Sequence, residues 1–334
     1  MISGITACTT MVIPSLFPFM TLVNFFDFSG GTHFINKVFK YPAKLLMGRY
    51  YNFFSVYLMS LVGGYPVGAN MLNSLVKNGT TDKNTAQTVL LFSVNSSPAF
   101  VIFAVGEGML FSKKIGLVIF LANLLSSMIT LFLVTRLSKN IPLYKNGETR
   151  YLPLNNAFVE GVTKASISMA FMCGFVLIFF ALNEIFSFFP FGKLTAVIST
   201  VGEVTSSVSM LSTGGELSLI SAVTSFGGVC VLLQIMAVSK EFSPKLWPLL
   251  LIQLLKGVLS YFITCVILKI FPEIGLWRYE EVISNMTSPG RFGISSTPIT
   301  SACLILTAGV MLYNTIRIIS NKENKTNEEF GIYK

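Results

Sequence analysis

Lys256 stands near the middle of an unbroken apolar run, Leu246 to Ile270, where insertion scales charge a basic residue about 2.5–3.5 kcal/mol for lying in a bilayer. Three things could offset that cost: an anionic ligand, an intramembrane carboxylate, or extension of the side chain to the surface, which the central position disfavours. Gln253, three residues earlier and on the same helical face, can donate or accept beside it. The carboxylates closest to interruptions in other apolar runs are Glu107, Glu203 and Glu216, candidates for proton or cation coupling. Glu203 directly follows Gly202 and is equally suited to pair with Lys256 or to cap the half-helix that follows, where a negative charge meets the positive end of the helix dipole. Glu107 and Glu216 also read as near-interfacial, as do Glu160 and Glu184 at the ends of their run.

The uncharged candidates sit at the interruptions themselves. Asn95, Ser96, Ser97, Thr224 and Ser225 lie in two of them, and Asn70, Thr205, Ser206 and Ser207 lie in two more. A half-helix beginning inside a membrane offers free N–H groups and roughly half a positive charge, which suits a carboxylate ligand. The same small residues can instead satisfy broken backbone or let helices pack closely. Tyr65 can stack on an aromatic acid or a nucleobase, or serve only as packing.

The elements holding these residues are greasy and repeated. Hydrophobic residues make up 52% of the 334-residue chain and charged residues 12%, with a mean hydropathy of +0.69, whereas soluble domains carry roughly 25% charged residues. Apolar runs long enough for a membrane span of about 20 residues occur near 5–26, 52–76, 86–111, 115–137, 162–188, 194–212, 217–238, 246–270 and 299–319. The stretch Val62-Gly63-Gly64-Tyr65-Pro66-Val67-Gly68-Ala69-Asn70-Met71-Leu72 overlays without a gap on Val201-Gly202-Glu203-Val204-Thr205-Ser206-Ser207-Val208-Ser209-Met210-Leu211, by pattern more than by letter. Each copy precedes a second broken run, interrupted at Asn95-Ser96-Ser97-Pro98 and at Thr224-Ser225-Phe226-Gly227-Gly228. Discontinuous helices at matching positions of two halves mark a solute site, because broken backbone survives at membrane depth only against protein or a polar cavity.

These features predict an all-α integral membrane protein of two inverted repeats with broken helices and re-entrant hairpins. The first repeat covers 1–137, a polar loop 138–161, the second repeat 162–270, a loop and C-terminal transmembrane helix 271–320, and a disordered tail 321–334. The charge pattern favours hairpins folded at 95–98 and 225–228 over a chain in which every run crosses. With the C-terminus inside, that topology puts Lys37, Lys40, Lys44, Arg49, Arg136, Lys139, Lys145, Arg150, Lys164, Lys240, Lys245, Arg317, Lys322, Lys325 and Lys334 on the cytoplasmic side, and Lys77, Lys83, Lys113, Lys114, Lys193, Lys269, Arg278 and Arg291 outside, against Glu273, Glu280 and Glu281.

Other chemistries find no support in the residues. The single histidine, His33, reads as part of a polar loop and cannot build a zinc site or a histidine-based triad alone. No GxxxxGK phosphate loop occurs. Cys8, Cys173, Cys230, Cys265 and Cys303 are scattered singly through apolar runs, as small hydrophobes are. The net charge of +9 lies mostly in loops between spans, which suits anionic lipid headgroups and not nucleic acid. The first run lacks a basic leader and a cleavage site, so it reads as a retained span. No metal or cofactor is expected. The expected partners are the bilayer, a small solute, and a second copy or other membrane proteins.

Pro14-Ser15-Leu16-Phe17-Pro18-Phe19, Gly63-Gly64-Tyr65-Pro66-Val67-Gly68-Ala69, Asn95-Ser96-Ser97-Pro98-Ala99-Phe100 and Gly106 to Met109 together resemble the YlbJ-type sporulation integral membrane proteins. Those belong to the nucleoside-recognition or gate superfamily, which is similar in turn to ferrous-iron permease gates and concentrative nucleoside transporters. The resemblance covers roughly 5–270, in letters for the first half and in pattern for the second. It implies a bacterial multi-pass protein of the mother-cell or forespore membrane, a role in sporulation, and dipicolinate movement as the transport task. Nucleoside or cation transport, or a non-transporting scaffold in spore formation, are the alternatives it leaves open. Members of the family carry another hydrophobic segment before the LFPF helix, whereas this chain starts almost at it, which bears on the side the N-terminus occupies.

Overall fold

The computed structural model describes residues 2–145, 152–187, 201–212 and 214–273. Among them every regular element is helical. Five helices are long and apolar enough to cross a membrane: Gly4–Phe28, Lys113–Leu137, Leu154–Phe186, Leu217–Val238 and Leu246–Ile270. The expected run 299–319, the tail 321–334 and residues 194–200 lie outside the described residues.

The first crossing joins α1 (Ile2–Ala7), a π turn (Cys8–Val12) and α2 (Ile13–Phe28). It runs antiparallel to α9 (Leu154–Ser187): the Leu152 N–H donates to Phe28 O at 3.0 Å at one end, and Gly4 lies against Phe180 and Leu177 at the other. Helix α9 therefore begins inside the stretch expected to be loop up to 161. Between them come α3 (Gly31–Val38) and α4 (Lys40–Met47), short and amphipathic, so His33 is helical and not in a loop.

The GGYP segment folds the chain back on itself. Helix α5 (Phe54–Gly63) stops at Gly64 and α6 (Tyr65–Lys77) starts one residue later. Gly64 has φ +89° and ψ −173°, a region essentially restricted to glycine, and Pro66 fits the first turn of α6, where no N–H is required. Both outer ends of this helical pair meet the loop 138–145. Before α5, Tyr50 Oη donates to Asn140 O at 3.1 Å; after α6, the Lys145 N–H donates to Thr80 O at 2.8 Å. Helices of 10 and 13 residues reach about 15 and 20 Å, short of a hydrocarbon core of about 30 Å.

The run after it behaves oppositely to the expectation. Helix α7 (Lys83–Phe92), the break 93–98 and a π-helical segment (Ala99–Met109) lie along α8 (Lys113–Leu137) from end to end. Thr85 and Thr88 bond to Leu143 and Asn140 beyond the C-terminus of α8. Asn95 and Ser96 bond to Ser127 and Asn123 at its middle, and Gly106 touches Gly116 near its start. The fold-back expected at 95–98 is thus absent: that run continues along the whole length of α8, and the turn sits at 63–66. The sequence alone did not separate the two because an interruption breaks an apolar run in the same way whether the chain turns or continues.

The second half follows suit. Helix α10 (Val204–Ser212) starts just after Glu203. Helices α11 (Leu217–Phe226) and α12 (Gly228–Val238), joined at Gly227 and Gly228 with φ +85° and +78°, form one broken crossing. It pairs antiparallel with α13 (Leu246–Ile270): Glu216 is near Tyr261, Ser221 bonds Thr264, and Ser225 bonds Lys256 O. The far end of α12 reaches Gln87 through Phe242 O, so no fold-back occurs at 225–228 either.

The contacts sort the charges by end. With the 138–145 loop lie Lys37, Lys40, Lys44, Arg49, Lys77, Lys83, Arg136, Lys139, Lys145, Lys240 and Lys245 with Asp82 and Glu241; at the opposite end lie Lys113, Lys114 and Lys269 with Glu107, Glu216 and Glu273. Moving Lys77 and Lys83 to the basic end sharpens the asymmetry that sets orientation. A cysteine at Lys83 is expected to react with an impermeant thiol reagent from the same membrane face as one at Lys139, and one at Lys113 from the opposite face. Reaction of the Lys83 and Lys113 positions from a single face would restore the hairpin at 95–98.

Candidate functional site

The two interrupted runs, 83–109 and 217–238, meet α8 and α13 at mid-length, and there the sequence candidates converge. Lys256 is 2% exposed. Its Nζ donates to Val94 O and, at 2.8 Å, to Asn95 Oδ1. Two of the three offsets do not apply: no carboxylate lies within ion-pair distance among the described residues, and the side chain does not reach the surface. The ammonium instead meets one backbone carbonyl freed by the break and one side-chain amide oxygen within it, just past the C-terminus of α7, the negative end of a helix dipole.

Around this contact the polar groups interlock. Asn95 Oδ1 also accepts from Ser127 Oγ at 2.6 Å, and Asn95 Nδ2 donates to Ser60 Oγ at 2.8 Å, tying the break to α5. Asn123 Nδ2 donates to Ser96 Oγ at 3.3 Å and to Thr224 Oγ1 at 3.1 Å, while its Oδ1 accepts from Ser260 Oγ at 2.7 Å. Ser126 and Ser225 hydroxyls are 3.1 Å apart, and Ser221 bonds Ser260 at 2.7 Å. Tyr65 Oη donates to Thr224 O at 2.5 Å, supplying the α11 end with the partner its interrupted ladder lacks. Gln253 Nε2 lies 3.5 Å from Val94 O, and its Oε1 is buried without a hydrogen-bond partner. The space left between Asn95, Ser96, Asn123, Ser225 and Lys256 is about 10 Å³, room for about one water.

The structure thus brings together Tyr65, Asn95, Ser96, Thr224, Ser225, Gln253 and Lys256. Ser97 sits beside them but is engaged as the start of the π-helical segment, accepting from the Phe100 N–H at 3.2 Å. Asn70 is turned to α9, donating to Ser168 Oγ at 3.0 Å. Thr205, Ser206 and Ser207 form a separate knot about Glu203, which accepts from the Thr205 and Ser206 N–H groups at 2.8 and 2.7 Å. Glu203 is therefore the cap of α10, and a cavity of about 30 Å³ separates it from Tyr65 and Phe100. Glu107 is half-exposed at the end of the bundle, 3.1 Å from Lys113, and Glu216 precedes α11 near Ser218 and Tyr261; neither carboxylate touches the central cluster.

Asn123, Ser126, Ser127, Ser221 and Ser260 belong to the cluster without having been singled out. Their signal was available as spacing: Asn123, Ser126, Ser127 and Thr130 recur at helical intervals on one face of an otherwise apolar run, as do Gln253, Lys256, Ser260 and Thr264. Replacing Glu203 with alanine is expected to lower stability by about 1–2 kcal/mol through loss of the cap, with asparagine restoring most of it. Thermal unfolding in detergent measures both; an alanine variant as stable as the parent would remove the capping role. No protein-family model, no curated protein and no solved structure matches this chain.

Proposed function

We propose that this chain is a membrane permease for a small anionic aromatic solute, of the dipicolinate kind, with Lys256 at its binding centre. The observation that carries the reading is a fully buried ammonium, without a carboxylate partner among the described residues, at the junction of two interrupted crossings. Its present partners are neutral oxygens, so a carboxylate reaching Lys256 gains a charge-assisted bond in a site of low dielectric. Hydroxyl and amide groups of Ser96, Asn123, Thr224 and Ser225 surround the place it would occupy.

The two halves are read as inverted repeats, each a first crossing, an interruption, a broken crossing and a long closing helix. Supporting this, the paired elements run in opposite directions: α2 against α9, and α8 against α13. Asn123 and Lys256 occupy the same place, the eleventh residue, in the 25-residue helices α8 and α13. Each reaches across to the break of the other half's crossing partner, Asn123 to Thr224 and Lys256 to Asn95. The interruption at Gly64 corresponds to that at Glu203 in the sequence overlay. The pair α5–α6 is a re-entrant hairpin in this reading, with the basic end cytoplasmic. Rocking of the halves about the shared cluster opens a space that is now about 10 Å³.

The resemblance of 14–19, 63–69 and 95–100 to sporulation membrane proteins supports the choice of solute. Purified protein in liposomes is expected to take up labelled pyridine-2,6-dicarboxylate saturably, with short dicarboxylates competing and nucleosides not. Absence of uptake by folded, inserted protein, with and without an ion gradient, overturns the permease and favours a scaffold.

A further inference from the structure

The structure holds a second polar space on the Lys256 axis, open at the basic end. A cavity of about 360 Å³ lies between the outer turns of α7 and α13, within the size range of small-molecule sites. Its mouth is polar, with Gln87, Thr88, Asn140 and Lys245, and its floor includes Leu90 and Leu249, which are 1% and 0% exposed. Gln253 follows Leu249 by four residues within α13, one helical turn deeper on the same face, and Val94 lies in the break two residues past the end of the helix that carries Leu90. Directly beneath the floor, polarity therefore resumes at Val94 O, at the unpartnered Gln253 Oε1 and at Lys256 Nζ. One apolar layer separates a roomy outer space from the tight inner cluster.

We propose that this cavity is a cytoplasmic-side vestibule in which the carboxylate solute docks against Lys245 before reaching Lys256, and that Leu90 and Leu249 form the closed inner gate. Gln253 is the first group met beyond the gate, and its unused oxygen is available to a protonated ring nitrogen or a water travelling with the solute. This rests on the permease reading. It adds a second station, a direction of access and the residues that separate the two.

Labelling with a membrane-impermeant maleimide tests it on the full-length protein in oriented vesicles, with the parent protein supplying the native-cysteine background. Gln87→Cys is expected to react from the face that exposes Lys139, and at least about fivefold more slowly with saturating pyridine-2,6-dicarboxylate. Gln253→Cys is expected to be inert, and the Leu249→Ala/Gln253→Cys double variant to react from that same face. Rapid reaction of Gln253→Cys with Leu249 intact overturns the gate. Uptake in liposomes without protection of Gln87→Cys overturns the vestibule and leaves the permease standing; protection without uptake keeps the vestibule as a binding site and removes the permease.

Discussion

Lys256→Met is expected to lower pyridine-2,6-dicarboxylate uptake by about 100-fold or more while the protein stays folded. Truncating one side of a buried, hydrogen-bonded charge contact costs a ligand about 2–5 kcal/mol, and about 2.8 kcal/mol already corresponds to 100-fold. The fold loses little, because the oxygens that Lys256 serves keep other donors: Asn95 Oδ1 retains Ser127 Oγ, and Val94 O retains Gln253 Nε2. Removing the ammonium also removes the cost of keeping a charge out of water, so stability is expected to hold or rise by up to about 2 kcal/mol. Lys256→Arg should not restore uptake, since a planar five-donor guanidinium does not fit beside a 10 Å³ space built for a compact ammonium. The checks are initial uptake rates and unfolding midpoints measured on the same preparations. A methionine variant that unfolds readily would make Lys256 a structural plug for the α7 break; one that transports normally would remove the site.

Gly68→Ala is expected to be the most damaging conservative change in the hairpin, at about 3 kcal/mol or more. A Cβ built on Gly68 meets Ser93 O at 2.1 Å and Ser93 Cβ at 3.0 Å. The obstacle is backbone at the start of the 93–98 break and not the end of a flexible side chain, so α6 must move away from α7 as a whole. Overpacking of this kind typically costs about 1–3 kcal/mol and more where the surroundings cannot yield. Uptake should fall with stability, since the displacement also shifts Tyr65 from Thr224 O and α5 from Asn95. Gly174→Ala is the matching control: it lies within α9 with nothing inside 4 Å of the added carbon, so it should be neutral or stabilising by about 0.5–1 kcal/mol. Equal unfolding midpoints for the two variants would contradict the close approach of the hairpin to the break.

Much of the site was legible residue by residue. The cost of a lysine amid leucines points to Lys256 whatever the fold, and Asn95-Ser96 and Thr224-Ser225 announce themselves as polar interruptions of runs that lipid would otherwise keep unbroken. Glu203 was open to coupling, to capping and to pairing with Lys256. The choice fell to the cap because the N–H groups of Thr205 and Ser206 are two and three residues away, whereas Lys256 is already engaged by a break 161 residues distant in sequence. Glu107 and Glu216 shared the same sequence signal, a carboxylate near a break, yet lie at the bundle end. Distance along a broken helix is not depth in the molecule.

What the sequence by itself determined is the medium and the materials: an all-helical chain of apolar runs, too poor in charge to be solvated all round, with polar side chains both at interruptions and within the runs that Asn123 and Lys256 occupy. These follow from local composition and from the requirement that backbone groups be bonded within the segment or against protein. What only the tertiary structure decided is which interruption turns the chain and which is crossed, and which polar groups meet. Gly64 and Asn95-Ser96-Ser97-Pro98 look alike as breaks. The first turns because α5 and α6 both return to the 138–145 loop; the second continues because α8 offers Asn123, Ser127 and Gly116 along its whole length. The local pattern marks a polar face on α8, but it does not encode which break that face will meet.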